Sequence, residues 1–136
     1  MKDLIGKILK LREDLTLVSV EDSGALLDVE KRCYHDLNST AFFIAGLLEN
    51  GYLYDKIPTA LTTEFSVDVI TARQDTDDFV EELLRHGLLN IVEETIDFSK
   101  APEDKQGEKP YQEPSFEYQK ELAVASGQTV ATTDIE

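Results

Sequence analysis

The stretch from Leu26 to Leu89 restricts the available folds more than any other part of the chain. It begins with short apolar segments broken by polar turns and closes with an amphipathic helix that Gly87 stops. Leu15-Thr16-Leu17-Val18-Ser19-Val20 lies just upstream, rich in β-branched residues, and predicts a strand. Glu21-Asp22-Ser23-Gly24 is a turn cluster whose glycine offers a positive φ. Ala25 to Val29 reads as a second strand, Glu30-Lys31 as a turn, and Arg32 to Asp36 as a third strand. Short strands with tight polar connections predict an antiparallel meander.

Three helices should follow. Asn38 or Ser39 can cap the first, because its side-chain oxygen accepts from a free amide of the first turn. Phe42, Phe43, Leu47 and Leu48 recur at helical spacing, and Asn50-Gly51 ends the run. Residues 52–65 make a less regular helix through Tyr52, Leu53, Ile57, Leu61 and Phe65. Pro58 lacks a backbone donor, so that helix starts near Lys56 or kinks. Val69 to His86 places Ile70, Ala72, Thr76, Phe79, Val80, Leu83 and Leu84 in a broad apolar band. Leu88 to Phe98 reads as a last short strand or an extended exit.

The flanks differ in character. Leu4, Ile5, Ile8, Leu9 and Leu11 predict an amphipathic helix or docking arm over residues 1–12. Residues 13–98 form the domain. Beyond Ser99 the chain is polar and proline-containing, which predicts a flexible tail over 99–136 with a sticky centre at Tyr111, Phe116, Tyr118 and Leu122. The expected fold class is α+β and winged-helix-like: a three-stranded antiparallel sheet, then three helices, then the tail.

Charge narrows the partners. The 28 acidic and 13 basic residues leave a formal charge of −15, which opposes phosphate backbones and disfavours nucleic acid. The lone Cys33 excludes an internal disulfide and fits a reducing compartment. Lysines interrupt the N-terminal apolar residues, and no apolar run is long enough to span a bilayer. The expectation is a cytoplasmic protein without membrane contact.

Catalytic chemistry is hard to assemble. His35 and His86 are read as solvent-side histidines, and a metal site built from them would need carboxylate help. Cys33 and His35 share a strand face, but no third orienting group is recognisable. Asp77-Asp78 and Glu81-Glu82 look like a solvated helix face. No catalytic residue, cofactor or metal is expected. A sheet edge beside a helix with a wide apolar band can accept an extended peptide. The alternative, that the core consumes the band, stays open at this point.

The order Leu-Leu-Asp-x-Glu-x-x-x-Tyr-x-x-Leu-Asn-x-x-Ala from Leu26 to Ala41 resembles the PqqD family. So does Leu47-Leu48 before Gly51, and Asp75-x3-Phe79-Val80-x2-Leu83-x3-Gly87-Leu88-Leu89. The resemblance covers about residues 14–92. It implies a non-catalytic adaptor for the leader segment of a ribosomally made precursor peptide. The leader would add as a strand between the third strand and the third helix, and the adaptor would present it to a modifying enzyme, often a radical SAM protein. Carried over, the peptide-binding residues are Lys31, Arg32, Cys33, Tyr34, His35, Asp75, Thr76, Phe79, Val80 and Leu83.

The chain departs from the family in its N-terminal arm, in Pro58 and in its long tail. Within that tail, Lys109-Pro110-Tyr111-Gln112-Glu113-Pro114-Ser115-Phe116 resembles the Tyr-x-x-Pro-x-Leu element of some lasso-peptide leaders. Phe116 stands for the leucine, and Lys120 for a later glycine. Residues 109–122 could thus mimic a leader, against the plainer reading of a disordered linker. Two other classes are carried as alternatives: a winged-helix regulatory or protein-interaction domain, and an enzyme using Cys33. Edge strands and the arm allow a strand-exchanged homodimer.

Overall fold

The first apolar run decides its structure by pairing. The computed structural model describes residues 7–92 and 106–121. Here Ile8–Leu11 form strand β1, not the expected helix; the expectation for residues 1–6 lies outside the described residues. Ile8 and Leu9 are both fully buried, and adjacent strand residues point to opposite faces. Both faces of β1 are therefore covered, which suits a strand inside the core better than a one-sided helix. β1 runs antiparallel to β5 (Leu89–Val92), with Ile8 opposite Val92 and Leu11 opposite Leu89.

The meander forms a separate sheet. β2 (Leu15–Val20), β3 (Ser23–Asp28) and β4 (Cys33–Leu37) pair antiparallel in that order. Glu21 and Arg32 take the left-handed conformation in the two turns, with φ of 56° and 57°. Gly24 is not the turn glycine. It lies inside β3 opposite Leu37, where an added Cβ would stand 2.5 Å from the Val18 carbonyl oxygen and press into the Phe42 ring. The sheet is four-stranded rather than three-stranded, because β6 (Phe116–Glu121) pairs antiparallel with β4.

The helices start and stop where their caps dictate. In α1 (Ser39–Glu49), Asn38 accepts from the Ala41 amide at 2.8 Å, and Gly51 follows the end with φ 83°. Its buried stripe is Thr40, Ala41, Ile44, Ala45 and Leu48, while Phe42, Phe43 and Leu47 are half-buried. Small residues on the inner face let the helix approach the sheet closely. A 3₁₀ turn (Tyr54–Lys56) leads into α2 (Ile57–Glu64), with Pro58 in the first turn, where its missing donor costs nothing. Asp68 caps α3 (Val69–Arg85) by accepting from the Thr71 amide, and Gly87 closes it with φ 72°. Ala72, Thr76, Phe79, Val80 and Leu83 are the buried face of α3.

Arg12 ties the ends of three elements together. It donates to Asp14 at 2.7 Å, to buried Asp28 at 2.8 Å and to the Gly87 carbonyl at 3.1 Å. The Asp14 hydrogen bond holds the guanidinium above its ordinary pKa and holds Asp14 below the usual carboxylate range. Among the described residues no helix is long and apolar enough to cross a membrane.

The same substitution should have opposite effects at two glycines. Gly24→Ala forces a side chain into the Val18–Phe42 contact and should destabilise the protein by about 1–3 kcal/mol. Gly46→Ala, in α1 with nothing within 4 Å of the new methyl, should stabilise it by about 0.5–1 kcal/mol. Urea unfolding of the two variants measures both.

Candidate functional site

A strand at the rim of a sheet carries unpaired amides and carbonyls, and these must find partners if they are covered. β4 pairs with β3 on one edge. On its other edge lies the C-terminal segment, antiparallel, with Leu37 opposite Phe116, Asp36 opposite Glu117, Tyr34 opposite Lys120 and Cys33 opposite Glu121. The register shifts between Tyr34 and Asp36, so that Tyr118 and Gln119 stand against His35 alone, as in a β-bulge. The composition of residues 99–136 predicts a loose tail. Residues 106–121 instead lie along the body, while 99–105 and 122–136 lie outside the described residues.

α3 supplies the facing wall. Asp75, Phe79, Glu82 and His86 follow helical spacing and share one stripe. The Tyr111 hydroxyl donates to the Asp75 carboxylate at 2.7 Å, and burial together with this bond pushes the phenol pKa up. Tyr111 also meets Phe65 edge-on at 6.0 Å, and Phe65 meets Phe43 at 5.4 Å. Pro114 is buried. The Phe116 ring stands edge-on to Phe79 at 5.9 Å and to His86 at 5.8 Å. Such aromatic pairs contribute roughly 0.5–1.5 kcal/mol each beyond their burial.

Asn38 joins the walls. It sits between β4 and α1, donates from its amide nitrogen to the Glu113 carbonyl at 2.8 Å, and accepts from the Ser115 amide at 3.2 Å. Its backbone N–H donates to the Ser115 carbonyl at 3.1 Å. The same side-chain oxygen caps α1.

The sequence-derived residues divide into four groups, the last being Cys33 and His35. Asp75 and Phe79 lie on the stripe that meets the C-terminal segment, and Tyr34 is half-buried in the strand that pairs with it. Thr76, Val80 and Leu83 point into the core and are fully buried. Lys31 and Arg32 are exposed in the turn before β4, and the Lys31 amide donates to Asp28. Asn38, Phe65 and His86 belong to the groove and were not predicted as peptide contacts. Asn38 reads as a cap alone, and Phe65 and His86 come near the groove only through folding.

Cys33 and His35 are buried on the core face, so His35 is not solvent-side. Asp28, opposite Cys33 on β3, is the third group that strand spacing alone does not reveal. The carboxylate, thiol and imidazole ligand atoms lie within 4.8 Å of one another. The Asp28 carboxylate is already committed to Arg12 and to the Lys31 amide. That adjacent guanidinium opposes a bound cation, and the burial of all three leaves no approach for a substrate. The cluster is best understood as a polar joint in the core. Burial pushes the His35 imidazole below its ordinary pKa, against the upward pull of Asp28.

Comparison with known proteins adds a family to this geometry. The family model for coenzyme PQQ synthesis protein D (PqqD) matches residues 24–89. A solved structure of TbiB1 in complex with the TbiA(beta) leader peptide is 30% identical, covering 60% of this chain and 94% of that one, with a TM-score of 0.55. A lasso peptide synthetase B1 complexed with its leader peptide is 27% identical, covering 60% of this chain and 96% of that one, with a TM-score of 0.54. Among curated proteins, none matches.

The lowered His35 pKa has a consequence for stability. As pH falls below about 6.5 the unfolded chain takes up this proton before the folded one. The contribution of neutral His35 is therefore full above about pH 6.5 and is lost as pH falls towards the lowered folded value. Thermal melts between pH 7.5 and 5.5 should show a fall in Tm that is flatter in His35→Gln.

Proposed function

The chain belongs to the PqqD family, and from that premise we propose that it is a non-catalytic adaptor for the leader segment of a ribosomally made precursor peptide. In this reading the leader adds as a strand along the outer edge of β4, and its side chains lie on the Asp75–Phe79–His86 stripe of α3. The adaptor then presents the leader to a modifying enzyme, for which a radical SAM protein is one candidate.

One observation carries the reading. The edge of β4 holds an extended segment antiparallel, with Tyr111 against Asp75 and Phe116 against Phe79. Main-chain pairing of this kind supplies affinity, and side-chain pockets supply selectivity. The two leader complexes among the similar structures support the same partner class. A DNA-reading role for α3 is opposed by Asp75, Asp77, Asp78, Glu81 and Glu82 on that helix.

Synthetic leader peptides of the kind bound in the two similar structures serve for the test. They should be titrated into isotope-labelled protein whose own segment is loosened by Tyr111→Ala and Phe116→Ala. Amide shifts at Cys33–Leu37 and along α3 are expected; no shift there would sink the reading. For a leader bearing tyrosine, Asp75→Asn in the same background should weaken binding about tenfold, as loss of a hydrogen bond to a charged group does.

A further inference from the structure

We infer that residues 106–121 are a ligand of the groove carried on the chain itself, so that a separate peptide enters only by displacing them. The inference rests on the reading of β4 and α3 as the peptide site.

The segment is held by more than its strand. Ahead of Tyr111, a clamp grips the exit of α2, where helix carbonyls lack partners within the helix. The Gln106 side-chain amide donates to the carbonyls of Thr62 at 3.1 Å, Phe65 at 3.0 Å and Val67 at 3.3 Å. The Gly107 amide donates to the Thr62 carbonyl at 2.7 Å, and the Ser66 amide donates to the Lys109 carbonyl at 2.8 Å. Lys109 pairs with Glu64. The fit at Gly107 is specific: a Cβ there would stand 2.7 Å from the Glu64 carbonyl oxygen and against the Glu64–Phe65 peptide. Gly107 in the segment and the α2 exit in the body are thus matched to each other. A polar tail lying on the surface by chance would not require a glycine at its closest approach.

Occupancy then follows from the tether. Residues 93–105 connect β5 to the clamp, and a covalent connection of that length gives the segment an effective concentration on the order of millimolar. A peptide supplied separately competes with that concentration. It also offers no replacement for the clamp unless it carries residues like Gln106 and Gly107.

The test uses the full chain with a protease site placed within residues 98–102, compared intact and after cleavage. The probe is a fluorescent synthetic peptide of residues 106–121, read by anisotropy at dilution. Cleavage should tighten apparent probe binding by about 10²–10³-fold. Gly107→Val in the intact chain should tighten it in the same direction, and the cleaved wild-type protein decides the matter if that variant does not fold. Equal binding before and after cleavage, or no binding to the cleaved chain, overturns the inference. A dimeric mass in light scattering overturns it too, by assigning the occupant to a second copy. A leader peptide run in parallel separates the two proposals. If the probe binds the cleaved chain and the leader does not, the adaptor reading fails and this one stands. If the leader binds intact and cleaved chains equally, the reverse holds.

Discussion

The outer edge of β4 is the constraint on which the rest of this structure turns. Cys33, His35 and Leu37 point inward from β4, so the strand cannot leave the core. Its backbone groups on the far side must still be satisfied, and β6 satisfies them. Sheet, C-terminal segment and α3 therefore form one unit. The sheet provides hydrogen bonds, α3 provides a side-chain surface, and Asn38 serves both by capping α1 while holding Glu113 and Ser115.

The two ends of the domain are closed by different physics. At the groove end the contacts are aromatic and main-chain, with one half-buried phenol donating to Asp75. At the other end a single guanidinium gathers Asp14, Asp28 and the carbonyl that ends α3. Asp28 then faces Cys33 and His35, so these polar groups of β3 and β4 sit in a small buried joint on the core face rather than along the outer edge of β4. In the groove, the half-buried Asp75 carboxylate has an aromatic hydroxyl as its partner.

The helices were legible because their signals are local. Asn38, Gly51, Pro58, Asp68 and Gly87 each act within a turn of the residues they control, and the observed boundaries follow them. The PqqD resemblance is likewise spread over linked positions, and residues 24–89 carry it. β1 was misread because its apolar spacing suits a helix, and only its partner β5 and full cover on both faces select a strand. The extra strand β6 was missed for a similar reason. Its polar composition gives no core signal, and its order comes from an edge supplied by residues about eighty positions earlier.

From Leu15 to Leu89 the sequence alone determined the helix caps and the meander, and its net charge disfavoured a nucleic-acid-reading surface, since propensity, capping and net charge need no distant partner. It also held the Tyr111-x-x-Pro114-x-Phe116 pattern, but not its place. Tertiary structure decided which residues of α3 face the core and which face the groove. It brought Asp28 to Cys33 and His35, and it seated the C-terminal segment against β4. The physical reason is the same in each case. Strand pairing and side-chain packing join residues far apart in the chain, and their energies depend on surfaces that exist only once the domain has closed.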